Sequence, residues 1–276
     1  MRSVSLGPLA LPLGPLLLIL GVWLGAWVAS RWARHRGLLN EGRRPGDELV
    51  HAAWWGLLCA RLVHVGLHAD LYLAQPLAIL DVRDGGWHAL SGWSGGLAWL
   101  LWRAWRQPAW RQALMLGTLT GGVLWAGATV ALSPNQAERL LPNVLLRSVP
   151  EGTLQPLPSL AKGQLRVINL WASWCGPCRQ EMPMLAALQR SETDVQFLFI
   201  NQGETAAAMQ TYLQQSKLSL QGVWMDADAS LGPALGVSGL PATLFVDAQG
   251  NLVDLHFGVI SEPALKARLR ALREAK

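Results

Sequence analysis

The apolar positions of this 276-residue chain fall into two regimes. Up to residue 132 they come in long, nearly uncharged runs: Leu9 to Ser30, Leu49 to His68, Gly86 to Trp102 and Gln112 to Leu132. A helix of roughly 20 apolar residues crosses the hydrocarbon core of a bilayer, so each run reads as a membrane span. The first run is long for the apolar core of a signal peptide and leads straight into arginines, which favours a retained span. Gly117, Gly121, Gly122 and Gly127 in the fourth offer close helix contacts.

Past residue 150 the runs shorten. Thr153 to Leu160, with Pro156 and Pro158, suits an edge strand. Arg166 to Trp171 reads as a buried strand, and Arg179 to Arg190 carries Met182, Leu185, Ala186 and Leu188 at helical spacing. Asp194 to Asn201 is a further strand, Glu204 to Gln215 a helix, Gly222 to Met225 a short strand, and Ser230 to Leu235 a brief helix. Ala242 to Asp247 and Leu252 to Gly258 form a hairpin, and Glu262 to Ala275 is an amphipathic helix. Strands alternating with helices make a layered α/β domain. The expected organisation is a membrane domain over residues 1–132, a proline-bearing linker over 133–150, and an α/β domain over 151–276.

Charge sharpens this division. The net charge of +5 belongs to the first half, because residues 133–276 hold equal numbers of acids and bases. Twelve of the 15 Trp also lie before residue 133. The globular half has no basic stripe interleaved with aromatics, so the basic balance does not indicate a nucleic-acid partner. The arginines instead set orientation. Arg31, Arg34, Arg36, Arg43 and Arg44 lie between the first two spans, and Arg103, Arg106 and Arg111 between the last two. By the positive-inside rule both loops are cytoplasmic. Four spans then put the C-terminal domain in the periplasm, anchored in the inner membrane of a bacterium, where disulfide exchange takes place.

Inside the spans, Arg61, His64 and His68 fall on one helical stripe, and ionisable groups at such positions are functional candidates. The simpler reading is that they pair within the bundle. Cys59 reads as a packed, inert thiol.

The chemistry concentrates in Trp171-Ala172-Ser173-Trp174-Cys175-Gly176-Pro177-Cys178-Arg179-Gln180-Glu181, a strand, a turn and a helix start. The free N–H groups and dipole of a helix N-terminus stabilise a thiolate. Cys175 is the natural attacking thiolate and Cys178 the resolving thiol, cycling between dithiol and a Cys175–Cys178 disulfide. A zinc site needs further ligands; the one other cysteine is Cys59, far upstream, and His256 is the only histidine after the motif, so no metal and no cofactor beyond the disulfide is expected. Glu181 shares the helix face of Cys178 and can take or supply its proton. Trp174 is apolar cover and a contact surface. Pro177 fits the first helical turn, where no N–H is missed.

Two resemblances rest on these residues and on the spans before them. Asn169 to Pro183, Gly239 to Asp247, and the long segment between Asn201 and Met225 together resemble the TlpA-like periplasmic thiol–disulfide oxidoreductases of the thioredoxin fold. The resemblance covers roughly residues 150–276 and implies a thioredoxin fold following an all-α bundle of four transmembrane helices. It implies that Pro241 is a cis-proline facing the cysteines and that the backbone of Leu240 pairs with substrate. Trp174, Gly176, Pro177, Leu240 and Pro241 are then the substrate-binding surface, with Cys175, Cys178 and Glu181 catalytic. Asn169 stands where plain thioredoxin has a buried Asp, which leaves Glu181 as the nearby acid. Gly-Pro is the pair of the reducing thioredoxins, so the resemblance implies a reductase of exported protein disulfides, recharged by a membrane electron donor.

The second resemblance is to prolipoprotein diacylglyceryl transferase, over roughly residues 10–132. It rests on Gly42 to Glu48, Gly56 to Leu62, Asp84-Gly85-Gly86, and Ser91 to Leu97. Ser94 precedes the glycine pair where that family has His, and no Gly-Arg-x-Gly-Asn occurs. This half reads as a truncated, repurposed anchor. Three other readings remain: a dithiol oxidase or isomerase, a lipoprotein transferase with an accessory redox domain, and a non-catalytic module that binds a partner through the thioredoxin groove.

Overall fold

The computed structural model describes residues 3–6, 9–38, 44–132, 140–149, 151–160 and 162–274. It divides into two compact units, one of Leu13–Tyr72 and Gly86–Ser133, the other of Met1–Pro12, Leu73–Gly85 and Pro134–Lys276.

The chain opens on a short antiparallel pair, β1 (Ser3–Leu6) and β2 (Leu9–Pro12). The first membrane helix therefore begins at Leu13 and not at the expected Leu9. Pro12 and Pro15 sit at its boundary and in its first turn, where proline costs no hydrogen bond. This helix, α1 (Leu13–His35), continues past Ser30 and takes Arg31 and Arg34 into its last turns.

Behind it come α2 (Pro45–Leu67), α3 (Ala69–Ala74), α4 (Ala89–Arg106) and α5 (Arg111–Ala131). Pro45 occupies the first position of α2, and Asp47 accepts the Arg44 N–H at 3.3 Å. His88 caps α4 by accepting the Ser91 N–H at 3.3 Å.

Glycine backbones let the bundle close. A Cβ on Gly25 would lie 2.5 Å from the Gly117 carbonyl, and one on Gly121 2.5 Å from that of Gly21. The expected close contacts at Gly117 and Gly121 are thus present. Gly122 and Gly127 differ from expectation: nothing stands within 4 Å of their Cβ positions, and both lie on the exposed side of α5. Between α2 and α4, Gly56 meets Gly92, and Gly95 meets Cys59. A buried ion pair joins the same two helices, Arg103 to Glu48 at 2.5 Å, with Trp99 Nε1 donating to the other Glu48 oxygen at 3.2 Å.

Arginines of the two basic clusters lie over tryptophan rings: Arg31 on Trp27, Arg36 on Trp32, Arg103 on Trp110 and Arg106 on Trp105. Such pairs suit a membrane–water boundary, where an aromatic face and a cation meet. The stripe on α2 is engaged within the bundle. Arg61 donates to the Gly86 carbonyl at 2.9 Å and lies over the Tyr72 ring, and the His64 and His68 rings are 4.6 Å apart.

Among the described residues three helices, not the expected four, are long and apolar enough to cross a membrane: Leu13–His35, Pro45–Leu67 and Pro108–Ala131. The exception is α4. Its two serines, its glycines and its two arginines dilute its apolar character, although it packs in the bundle like the others.

The second unit is a seven-stranded mixed sheet flanked by helices. Its strands are β3 (Leu145–Ser148), β4 (Leu154–Pro156), β5 (Leu165–Trp171), β6 (Val195–Gln202), β7 (Val223–Asp226), β8 (Ala242–Val246) and β9 (Leu252–Phe257), in the order β4-β3-β7-β6-β5-β8-β9. β5, β6 and β7 run parallel, and the other pairings are antiparallel. The proline-bearing β4 sits at an edge, as its composition requires. β3 is a departure: Leu145–Ser148 was expected within the linker but is an inner strand paired to both β4 and β7. Pro134 and Pro150 of that linker lie outside the described residues.

The helices are α6 (Gly176–Ser191), α7 (Ala206–Gln215), α8 (Leu231–Ala234) and α9 (Glu262–Glu274). Every residue of β5 is buried. Its side chains alternate between the two faces, so Val167 and Trp171 join the core under α6 and α9, while Ile168 and Leu170 join the core on the other face. A strand buried on both sides and held between β6 and β8 is a rigid mount for the turn and helix beyond its C-terminal end.

Candidate functional site

β5 ends at Trp171, and Cys175 is the N-cap of α6. Cys175 and Cys178 are joined as a disulfide, and the Cys178 N–H points at Cys175 Sγ at 3.2 Å. That N–H is one of the donors a helix start leaves free, so it is in place for a thiolate once the bond is reduced. Cys178 is fully buried and Cys175 is 4% exposed, while Trp174 beside it is 70% exposed. Gly176 and Pro177 are also exposed, so the disulfide is bordered by exposed residues on this side.

The Leu240–Pro241 peptide is cis, as the resemblance implied. Leu170 pairs with Ala242, so Pro241 stands at the sheet end where the chain leaves β5 for the cysteines. The Pro241 carbonyl accepts the Gly258 N–H at 2.9 Å, which ties it to the end of β9. Leu240 is half-buried and packs against the core cluster that contains both cysteines.

Glu181, one turn beyond Cys178 on α6, is 2% exposed. Asn169 Nδ2 donates to its Oε1 at 2.8 Å, and the Ile260 N–H donates to its Oε2 at 3.2 Å. Burial pushes its carboxyl up to about 7, against the pull of these two hydrogen bonds. Asn169 also donates to Thr243 Oγ1 at 3.2 Å, so the residue standing in place of an acid instead holds one.

Sequence reasoning missed Glu204. Its carboxylate accepts the Ser173 N–H at 2.7 Å, the Ser173 hydroxyl, and Asn201 Nδ2 at 2.6 Å. These bonds brace the turn between β5 and α6 from the end of β6. A glutamate just before a helix cap gives no sequence signal of this role. On the opposite flank of α6, Arg179 lies over the Tyr212 ring at 5.5 Å, beside a hollow of about 430 Å³ that Gly176 and Pro183 also line. Trp171 is core, packed on Tyr212 and away from the surface.

The disulfide, the neighbouring N–H and the exposed apolar cover are parts that thiol–disulfide exchange needs, and a buried carboxyl stands behind them. Comparison with known proteins agrees. Residues 136–269 match the Redoxin family model, and residues 2–128 match the model of prolipoprotein diacylglyceryl transferase. The thiol:disulfide interchange protein DsbE of Pseudomonas fluorescens biotype C is 37% identical over 114 residues, 41% of this chain and 63% of that protein. HelX of Rhodobacter capsulatus, also a thiol:disulfide interchange protein, is 28% identical over 113 residues, again 63% of its length. The thiol-disulfide oxidoreductase ResA of Bacillus anthracis is 27% identical over 161 residues, 58% of this chain and 91% of that protein. The chain thus spans just under two thirds of the first two relatives. It joins an N-terminal helical segment that matches the diacylglyceryl transferase model to a domain similar to the thiol–disulfide oxidoreductases of the thioredoxin superfamily.

Proposed function

We propose that this chain is a membrane-anchored thiol–disulfide oxidoreductase that reduces disulfides of exported proteins. The observation that carries the reading is the Cys175–Cys178 disulfide at the start of α6 with a buried Glu181 behind it. In the reduced form the Cys175 thiolate attacks one sulfur of a substrate disulfide. A mixed disulfide forms and the first substrate thiolate leaves. Glu181 takes the proton of Cys178, whose sulfur attacks Cys175 Sγ, releases the second substrate thiolate and closes the Cys175–Cys178 bond. Two electrons pass from the enzyme dithiol to the substrate. An acid with a pKa of about 7 is matched to moving a proton at neutral pH. The disulfide left behind is reduced in turn by a membrane electron donor.

Trp174, Gly176, Pro177, Leu240 and Pro241 form the surface that receives the substrate strand. The 169–183 motif favours the TlpA-like branch. Residues 1–132 act as the membrane anchor and 151–276 as the redox domain, joined through 133–150. Four crossings, with α4 shielded by α2, keep both arginine clusters on the cytoplasmic side and the cysteines in the periplasm.

The deciding measurement is the reduction potential of the Cys175–Cys178 couple. A reductase gives a value toward about −270 mV, and a value near about −120 mV makes it an oxidase. Mixed disulfides trapped on Cys178→Ser identify the partners; recovery of no exported protein there contradicts the substrate class. The competing transferase reading draws on the match over residues 2–128. It predicts diacylglyceryl transfer that persists in the Cys175→Ser, Cys178→Ser double variant.

A further inference from the structure

The segment Leu73–Gly85 brings one fully buried acid to the redox unit. Asp84 has no exposed surface, and Ser261 Oγ donates to its Oδ2 at 2.9 Å. Ser261 stands immediately before α9, and its Oγ accepts the Ala264 N–H at 3.3 Å. Asp84 therefore sits at the start of a 13-residue helix, where free N–H groups and the dipole favour a negative charge. The residue before Ser261 is Ile260, whose N–H reaches Glu181 Oε2. Two adjacent residues thus hold Asp84 on one side and Glu181 on the other.

Gly85 makes the approach possible. Its φ is +70°, and a Cβ there would lie 2.5 Å from Arg268 Nη2 and 3.1 Å from His256 Nδ1. Further back on the same segment, Gln75 donates to Glu262 on α9 at 2.6 Å.

We propose that Asp84 is a positioning residue for Glu181: its carboxylate fixes Ser261, and through Ser261 it holds the Ile260 N–H on the acid behind Cys178. The inference rests on Glu181 being the proton carrier of the exchange reaction. It gives the Asp84-Gly85 pair a role in the redox site that neither the cysteine motif nor the transferase resemblance assigns. The charged and titratable groups of this corner include Asp254 and His256 on β9 and Glu262, Lys266 and Arg268 on α9. Glu181 itself faces Asn169 on β5 and the Ile260 N–H, with Cys178 one turn earlier on α6. His256 is neutral above about pH 4, so it does not titrate where Glu181 does.

The test reads the ionisation of Glu181 directly, in the oxidised full-length chain in detergent. Its infrared carboxylic-acid band is the one lost in Glu181→Gln. The Ile260 N–H favours the carboxylate, so loosening it raises the midpoint of that band. Asp84→Ala and Ser261→Ala are each expected to raise it by about half a pH unit or more. Asp84→Asn, whose amide oxygen still accepts from Ser261, is expected to keep the wild-type midpoint. An unchanged midpoint in Asp84→Ala and Ser261→Ala overturns the proposal. Should Asp84→Ala not fold, Ser261→Ala alone decides. A wild-type chain with no Glu181-dependent band between about pH 4 and 9 sinks the role of Glu181 and this inference together. A Glu181 band that the Asp84 and Ser261 variants leave unmoved sinks the inference alone.

Discussion

Glu181 and His256 are both buried and both titrate, and their effects on stability run in opposite directions. The Glu181 carboxyl is raised from 4.5 to about 7, mainly by burial. Between those values the native chain keeps a proton that the unfolded chain has released, so stability falls as pH rises through this window. The His256 ring is lowered from 6.5 to about 4, again mainly by burial and then by Arg268. Between those values the unfolded chain binds a proton that the native chain does not, so stability rises with pH. Each displacement corresponds to on the order of 3 kcal/mol across its full window. Glu181→Gln should therefore gain stability relative to wild type as pH rises from 4.5 to about 7. His256→Gln should lose ground relative to wild type between about 4 and 6.5. Thermal unfolding of the full chain across pH checks both, and two parallel curves would refute the assignment. Legibility at this scale follows from spacing. Cys175 caps the helix that carries Cys178 and Glu181, and the shared face of the last two is implied by their separation of three. Glu204 was not legible because its partner Ser173 is 31 positions away in the chain and meets it only once β5 and β6 pair.

Elements were readable where their side chains repeat and unreadable where pairing alone defines them. β5 and α6 announce themselves by an apolar run and a helical period. β3 has four residues, with Leu145 and Arg147 exposed, and becomes a strand only by lying between β4 and β7. The helical bundle gives a sharper case, since glycines identical in sequence differ in what they face. A side chain on Gly25 must displace the Gly117 backbone, whereas one on Gly122 meets open space. Gly25→Val should cost several kcal/mol through overpacking of α1 on α5. Gly122→Ala should be neutral or stabilise by up to about 1 kcal/mol through helix propensity. Thermal unfolding in detergent compares the two, and equal effects would remove the case for a glycine-mediated contact. The Arg61 stripe teaches the same lesson from the other side. Its spacing is functional in appearance, yet Arg61 is held by the Gly86 carbonyl and the Tyr72 ring.

For the whole molecule, apolarity marks three spans among the described residues, and charge argues for a fourth. α4 has 18 residues and spans about 27 Å, close to the roughly 30 Å of a hydrocarbon core. Its hydropathy is weak, and the pairing of Arg103 with Glu48 inside the bundle lowers the cost of carrying that charge. If α4 did not cross, Arg103, Arg106 and Arg111 would face the periplasm while Arg31, Arg34 and Arg36 faced the cytoplasm, against the positive-inside rule. The redox unit would then lie in the cytoplasm, where glutathione keeps disulfides reduced and exported substrates are absent. Four crossings are therefore expected, with both arginine clusters on one side. Alkaline phosphatase fused after Gln107 should be inactive and the same reporter fused at the C-terminus active. The reverse pair, active after Gln107 and inactive at the C-terminus, would mean that α4 stays on one side and that the cysteines serve a cytoplasmic reaction.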